Sequence, residues 1–246
     1  SSLDASILAE GPINKKLSFA TSGRVSYIGP VMEKFTQETD MTVVPDYWDI
    51  ISRIEYNNNK VKTYLQYFSS NDRMTIINSG KNNNRSQPII TNYHDNITFH
   101  TLSYGFDNTF NNKVKNELRT SIQRYDRSRN GFNLNNNYSE NFKVNLGSFR
   151  DECQLSFNNK FTVNTGLDFE LFTIENSLSS TYKYYSLSGV YTNLELSLFN
   201  NLFITPGIRY DYYHELKEGI PSYRIMSRYN FIKNHSLKAA VGTYNK

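Results

Sequence analysis

The stretch FNNKFTVNTGLDFEL, Phe157 to Leu171, decides the fold. Its second part alternates: Phe161, Val163, Thr165, Leu167, Phe169 and Leu171 share one face, and Thr162, Asn164, Gly166, Asp168 and Glu170 share the other. A period of two is that of a β-strand. The run extends over about eleven residues, longer than an ordinary globular strand and close to what a tilted strand needs to cross a bilayer. Its first part is a turn, because asparagine tolerates positive φ and hydrogen-bonds its own backbone.

Near-copies of that turn recur. Asn57-Asn58-Asn59-Lys60, Asn111-Asn112-Lys113, Asn200-Asn201 and Lys233-Asn234-His235 each separate two alternating segments. After Asn200-Asn201 the pattern repeats, with Leu202, Ile204, Pro206, Ile208, Tyr210 and Tyr212 opposed to Thr205, Gly207, Arg209 and Asp211. Between these hairpins the chain is polar over residues 29–45, 71–95 and 126–141, which read as long loops. Short turns on one side and long loops on the other are the pattern of a transmembrane β-barrel. FNNKF is then a turn on the short side, with Phe157 and Phe161 near the membrane interface.

Composition sets the limits. The 246 residues are 38% hydrophobic and 15% aromatic, with 19 Tyr, 16 Phe and a formal net charge of +4. Mean hydropathy is −0.61, and no apolar run is long enough for a transmembrane helix. A barrel strand shows lipid only every second residue, so this does not exclude the membrane. The chain is too aromatic and too evenly charged for disorder. No basic run or nucleic-acid module is present, so no nucleic-acid partner is expected. Cys153 is the only cysteine, which rules out an intrachain disulfide.

The fold class is therefore all-β, an antiparallel up-and-down meander forming part of an outer-membrane barrel. Its twelve strands are expected at residues 2–10, 16–28, 46–56, 61–70, 96–107, 113–125, 142–157, 161–175, 184–198, 202–213, 221–231 and 236–245. Ile50, Ile54, Leu65, Leu118, Val163, Leu167, Leu194, Leu196, Ile204 and Ile208 should face outward, and Arg53, Glu55, Arg119, Asp168, Glu195, Arg209 and Arg224 inward. One strand resists: with Cys153, Leu155 and Phe157 outward, Asp151 faces lipid too. A β-bulge near Gly147 to Asp151 is expected to re-aim it.

Several segments carry a resemblance. Ala9-Glu10-Gly11-Pro12-Ile13 followed by Leu17 to Ile28, then Gly189-Val190-Tyr191, Pro206-Gly207-Ile208-Arg209-Tyr210-Asp211, Pro221-Ser222-Tyr223-Arg224 and Leu237 to Tyr244 resemble the barrel of TonB-dependent outer-membrane receptors in order and spacing. The resemblance implies localisation in the bacterial outer membrane and energy-coupled uptake of a scarce nutrient, of metal-chelate, cobalamin or oligosaccharide class. It also implies outer-membrane lipid around the wall, a plug domain inside it, and a TonB-type energy-coupling protein engaged by a segment upstream of the plug. No plug precedes Ser1, and Asn245-Lys246 lacks the aromatic residue on which such barrels generally end. Residues 1–246 are accordingly expected to be one barrel segment, with the plug and the remaining strands elsewhere.

No catalytic constellation is present. His214-Glu215 is not a zinc-binding helix motif, and His94, His100 and His235 lie in different segments, so neither enzyme, metal site nor cofactor is expected. Lumen charges are the substrate-binding candidates: Arg209 and Asp211 share a face, Arg224 lies near Arg209 across the hairpin closed by Leu216-Lys217, and Arg228 is further along. They read either as a polar track for an anionic or chelated ligand or as a network that docks the plug. Tyr184, Tyr185, Tyr212 and Tyr213 read as an interface girdle or a ligand platform. A passive porin or structural outer-membrane barrel, and a soluble β-sandwich binding module, remain as alternatives.

Overall fold

The computed structural model describes residues 4–29, 31, 41–78, 90–133, 136–232 and 235–243. Twelve strands follow one another: β1 (Asp4–Pro12), β2 (Leu17–Ser26), β3 (Met41–Asn57), β4 (Val61–Asn78), β5 (Ile90–Thr109), β6 (Val114–Asn133), β7 (Asn136–Asn158), β8 (Phe161–Asn176), β9 (Thr181–Phe199), β10 (Leu202–Tyr213), β11 (Glu218–Ile232) and β12 (His235–Gly242). They form one sheet in sequence order, every neighbouring pair antiparallel, with β1 and β12 at its edges. This is the expected meander.

Local chemistry explains the short turns. Asn58 Oδ1 accepts hydrogen bonds from the backbone N–H groups of Lys60 and Val61, both at 2.8 Å. Asn111 Oδ1 does the same for Lys113 and Val114, and Asn14 Oδ1 for Lys16 and Leu17. Asn158 Oδ1 accepts from Lys160 N at 2.8 Å. Each asparagine replaces backbone partners that a two- to four-residue reversal leaves unpaired. Phe157 and Phe161 close their turn by stacking at 5.2 Å. The Lys233-Asn234 turn lies outside the described residues.

Register sorts the side chains onto two faces. Arg209 pairs with Ser222 and Tyr191, Glu195 with Thr162, Arg119 with Gly105 and Arg150, and Arg53 with Gln66 and Ala20, so the expected inward residues share one face. Leu167 pairs with Asp151 and Val190, Leu118 with Phe106, Ile54 with Leu65, and Ile204 with Leu196, so the expected outward residues share the other. Val44 is the only buried hydrophobic residue among those described, while Leu65, Leu167, Val190 and Ile208 are 45–59% exposed. An apolar face this large and uncovered needs lipid, not water. It also removes the β-sandwich, in which these residues would pack against a second sheet.

Three expectations are corrected. The polar stretches 71–95 and 126–141 are mostly strand: β4 runs to Asn78, β5 starts at Ile90, β6 reaches Asn133 and β7 starts at Asn136. Outside the bilayer the ladder persists while outward positions turn polar, as in His94, Asn96, Thr98 and His100 of β5 and Arg124, Asp126 and Ser128 of β6, so the alternation signal fades before pairing does. The reversals at 177–180 and 214–217 are also short; Ser180 and Lys217 take left-handed φ of 47° and 55° there. No bulge occurs at Gly147 to Asp151: β7 pairs with β8 without a break from Phe142 to Ser156, and the register shifts only between Ser156 and Asn158. Asp151 therefore stays outward beside Leu167 and is satisfied locally, accepting a hydrogen bond from Asn116 Nδ2 at 2.6 Å.

Candidate functional site

The inward face is a lattice of charged side chains built over glycines. Strands two apart in a sheet lie roughly 9–10 Å from each other, so their side chains meet most readily where the strand between them offers no Cβ. Gly189 on β9 is such a gap: above it Arg209 Nη2 of β10 donates to Asp168 Oδ1 of β8 at 2.7 Å. A Cβ there would lie 2.6 Å from that carboxylate oxygen. Over Gly166, the Tyr191 hydroxyl donates to Glu152 Oε2 at 2.6 Å. Over Gly207, Arg224 Nη2 and Nε donate to Asn193 Oδ1 at 3.0 and 3.3 Å. Over Gly105, the Tyr64 ring packs towards Arg119, whose guanidinium carbon is 5.9 Å from the ring centre, while Arg53 stacks on the same ring at 3.8 Å.

Most of these charges are neutralised within the wall. Arg209 also donates to both oxygens of Asp211 at 2.6–2.9 Å, Arg119 pairs with Asp107 and Glu117, and Arg53 with Glu55 at 2.6 Å. Beyond the bilayer-facing stretch, Asp95 is buried at 5% exposure and bound by Arg127, with Arg129 at 3.5 Å. The Arg127 hydrogen bond, aided by the charges of both arginines, outweighs burial and holds the Asp95 carboxyl below its ordinary range.

Of the four candidates, Arg209 and Asp211 are thus each other's partners. Arg224 is exposed and reaches only a neutral amide oxygen. Register sets it opposite Gly207, one step along from Arg209, and the two arginines line a common cavity of about 290 Å³. Arg228 is apart, stacked on Phe203 at 4.5 Å and opposite Lys238, in a second cavity of about 590 Å³ near the short turns. The tyrosines divide: Tyr184 and Tyr212 fall on the outward face, Tyr185 and Tyr213 on the inward one, where Tyr185 packs on Phe172 at 5.3 Å. Sequence reasoning missed Arg150, which faces the smaller cavity. Alternation within Arg150-Asp151-Glu152 already turns Arg150 inward, but the cavity that it shares with Arg224 is assembled by register from β7 to β11, which no single strand reveals.

A family profile described as "TonB dependent receptor-like, beta-barrel" matches residues 22–246. No curated protein sequence matches the chain. Among solved structures the chain is similar to the ferric enterobactin receptor PfeA of Pseudomonas aeruginosa, at 13% identity and a TM-score of 0.74 over 97% of this chain and 40% of that one. It is also similar to the siderophore receptor PirA of Acinetobacter baumannii, at 12% identity, a TM-score of 0.72, and 97% and 40% coverage. For the ferric-catecholate import receptor Fiu of E. coli K12 the values are 10%, 0.69, 97% and 49%. The chain thus spans less than half the length of these receptors, whose likeness shows the fold. A profile match over nearly the whole chain, together with a single meander whose apolar face is bare and whose charges turn inward, places the protein in the TonB-dependent receptor family, as part of the β-barrel that sits in the bacterial outer membrane.

Proposed function

We propose that the protein serves energy-coupled uptake of a scarce nutrient through a plugged lumen, and that residues 1–246 are one segment of that barrel's wall. Among metal-chelate, cobalamin and oligosaccharide cargoes, an anionic metal chelate fits best. The observation that carries this reading is the uneven neutralisation of the inward face. Arg209 and Asp211 hold the wall together with Asp168, whereas Arg224 and Arg228, with Lys238 opposite, keep charge to spare along the lumen. Cations on low-dielectric walls focus a field that draws anions inward. That PfeA is a ferric enterobactin receptor and Fiu a ferric-catecholate import receptor supports the same cargo class.

The test is uptake by the full-length protein in a strain lacking its own receptors, offered ferric chelates, cobalamin and oligosaccharides, with and without the energy-coupling protein. Accumulation of a ferric chelate that stops without energy coupling is expected. Undiminished uptake without coupling would make the protein a passive porin.

A further inference from the structure

The rim that carries the asparagine turns is basic. Residues 13–16, 57–60, 110–113 and 157–160 hold no Asp or Glu, and each stretch ends on a lysine: Lys16, Lys60, Lys113 and Lys160. Each of these lysines donates its backbone N–H to the Oδ1 of the asparagine two residues before it, so one turn geometry sets all four at the same place. Their side chains are exposed and form no ion pair or hydrogen bond among the described residues.

At Lys160 the turn meets a groove. Phe161, the first residue of β8, pairs with Leu196, and β9 runs on to Phe199, so the end of β9 projects past the turn as a ledge. The step between them is a groove of about 590 Å³, with Phe161, Leu196 and Leu198 as its apolar lining and Asn159 and Lys160 among its polar lining. Phe161 and Leu196 belong to the outward face, and Phe157, stacked on Phe161 at 5.2 Å and 58% exposed, sets the groove at the depth of an aromatic girdle. No carboxylate lines it: the neighbouring Glu195 faces the lumen, where it accepts from Asn164 Nδ2 at 2.8 Å. Lys160 also borders the lumen cavity, but Arg228 and Lys238 outweigh Glu195 there, and like charge leaves the groove the better place for its ammonium.

An apolar step beside an unpaired ammonium at the edge of a bilayer suits an amphiphile whose chain lies on the wall, since a lysine keeps its stem on apolar surface and its charge in the headgroup layer. Short barrel turns face the periplasm, where the leaflet is phospholipid. A phosphodiester accepts hydrogen bonds from an ammonium and from an amide, and in a headgroup without an amine of its own the lysine is the cation that balances it. We propose that this step seats one anionic phospholipid of the periplasmic leaflet, its acyl chain on Phe161, Leu196 and Leu198 and its phosphate on Lys160 and the Asn159 amide. The seat is independent of what the lumen carries.

The test is native mass spectrometry of the full-length protein in detergent, offered phosphatidylglycerol and phosphatidylethanolamine of the same chains in equal amounts. Preferential retention of phosphatidylglycerol is expected, and K160Q should weaken it about five-fold, the change that one lysine makes beside an anionic headgroup. K160R should keep the preference, and L198W, which fills the groove, should displace the bound lipid whatever its headgroup. K113Q, in a turn of the same geometry, should change little. Equal retention by wild type and K160Q would overturn the seat, as would an equal loss in K113Q, which would leave only a general attraction to the basic rim. Loss of both lipids alike in K160Q would overturn the anionic assignment. A lipid-free dimer that K160Q dissociates would give the groove to a second copy of the chain and overturn the seat as well.

Discussion

Replacing Gly189 by Ala tests whether the glycine gaps hold the inner wall together. The added methyl would lie 2.6 Å from Asp168 Oδ1 and 2.9 Å from Arg209 Cζ, inside any tolerable contact, so both side chains must shift, and the 2.7 Å bond between them is expected to be lost. A hydrogen bond between charged groups contributes about 1.5–3 kcal/mol, and stranding a buried charge costs up to about 5 kcal/mol. Asp168 is only 9% exposed and would lose its one donor, but Arg209 keeps Asp211, which favours the lower end. Alanine returns about 0.5–1 kcal/mol by restricting the unfolded chain. The net expectation is a loss of about 2 kcal/mol. Denaturant unfolding of the full-length protein in lipid vesicles measures it, with Gly23→Ala and Gly147→Ala as references, since a Cβ at either meets nothing nearer than 3.9 Å. In an Asp168→Asn background the penalty should shrink by about 1 kcal/mol, the coupling expected of residues in contact. Equal stability of Gly189→Ala and Gly23→Ala would refute the bridging role of the gap.

Other outcomes follow from the same wall. Leu167→Arg and Ile204→Arg should each destabilise the protein in lipid by about 2–4 kcal/mol if near the bilayer midplane, whereas Glu195→Arg on the lumen face should cost little; vesicle unfolding reads all three. Asn58→Ala removes two bonds to backbone N–H groups and should cost about 1 kcal/mol, measured the same way. Because the folded Asp95 carboxyl titrates below its unfolded value, its stabilising contribution is complete above the unfolded carboxyl value of about 3.9 and is lost as pH falls through the folded one. Hydrogen exchange at the far ends of β5 and β6, corrected for intrinsic rates, should therefore loosen on acidification, and Arg127→Gln should already loosen it at neutral pH.

The meander, its short turns and its two faces were legible in the sequence because their causes are local. An asparagine that caps the N–H groups two and three residues on, as Asn58 and Asn111 do, acts within a single turn, and a period of two assigns Leu167 and Asp168 to opposite faces whatever lies beside them. Strand ends beyond the bilayer were not legible, since backbone pairing continues where side chains such as His94 and Arg124 no longer report a buried face. Nor was the fate of Asp151, whose partner Asn116 lies 35 residues away. Tertiary structure alone decided which charges are spent and which are free: Arg209 reaches Asp168 across Gly189, 41 residues apart in the chain, while Arg150 stands opposite that same carboxylate without binding it. Register sets β8, β9 and β10 side by side, and the missing Cβ at Gly189 lets Arg209 cross β9 to Asp168, a contact that no periodicity within one strand can encode.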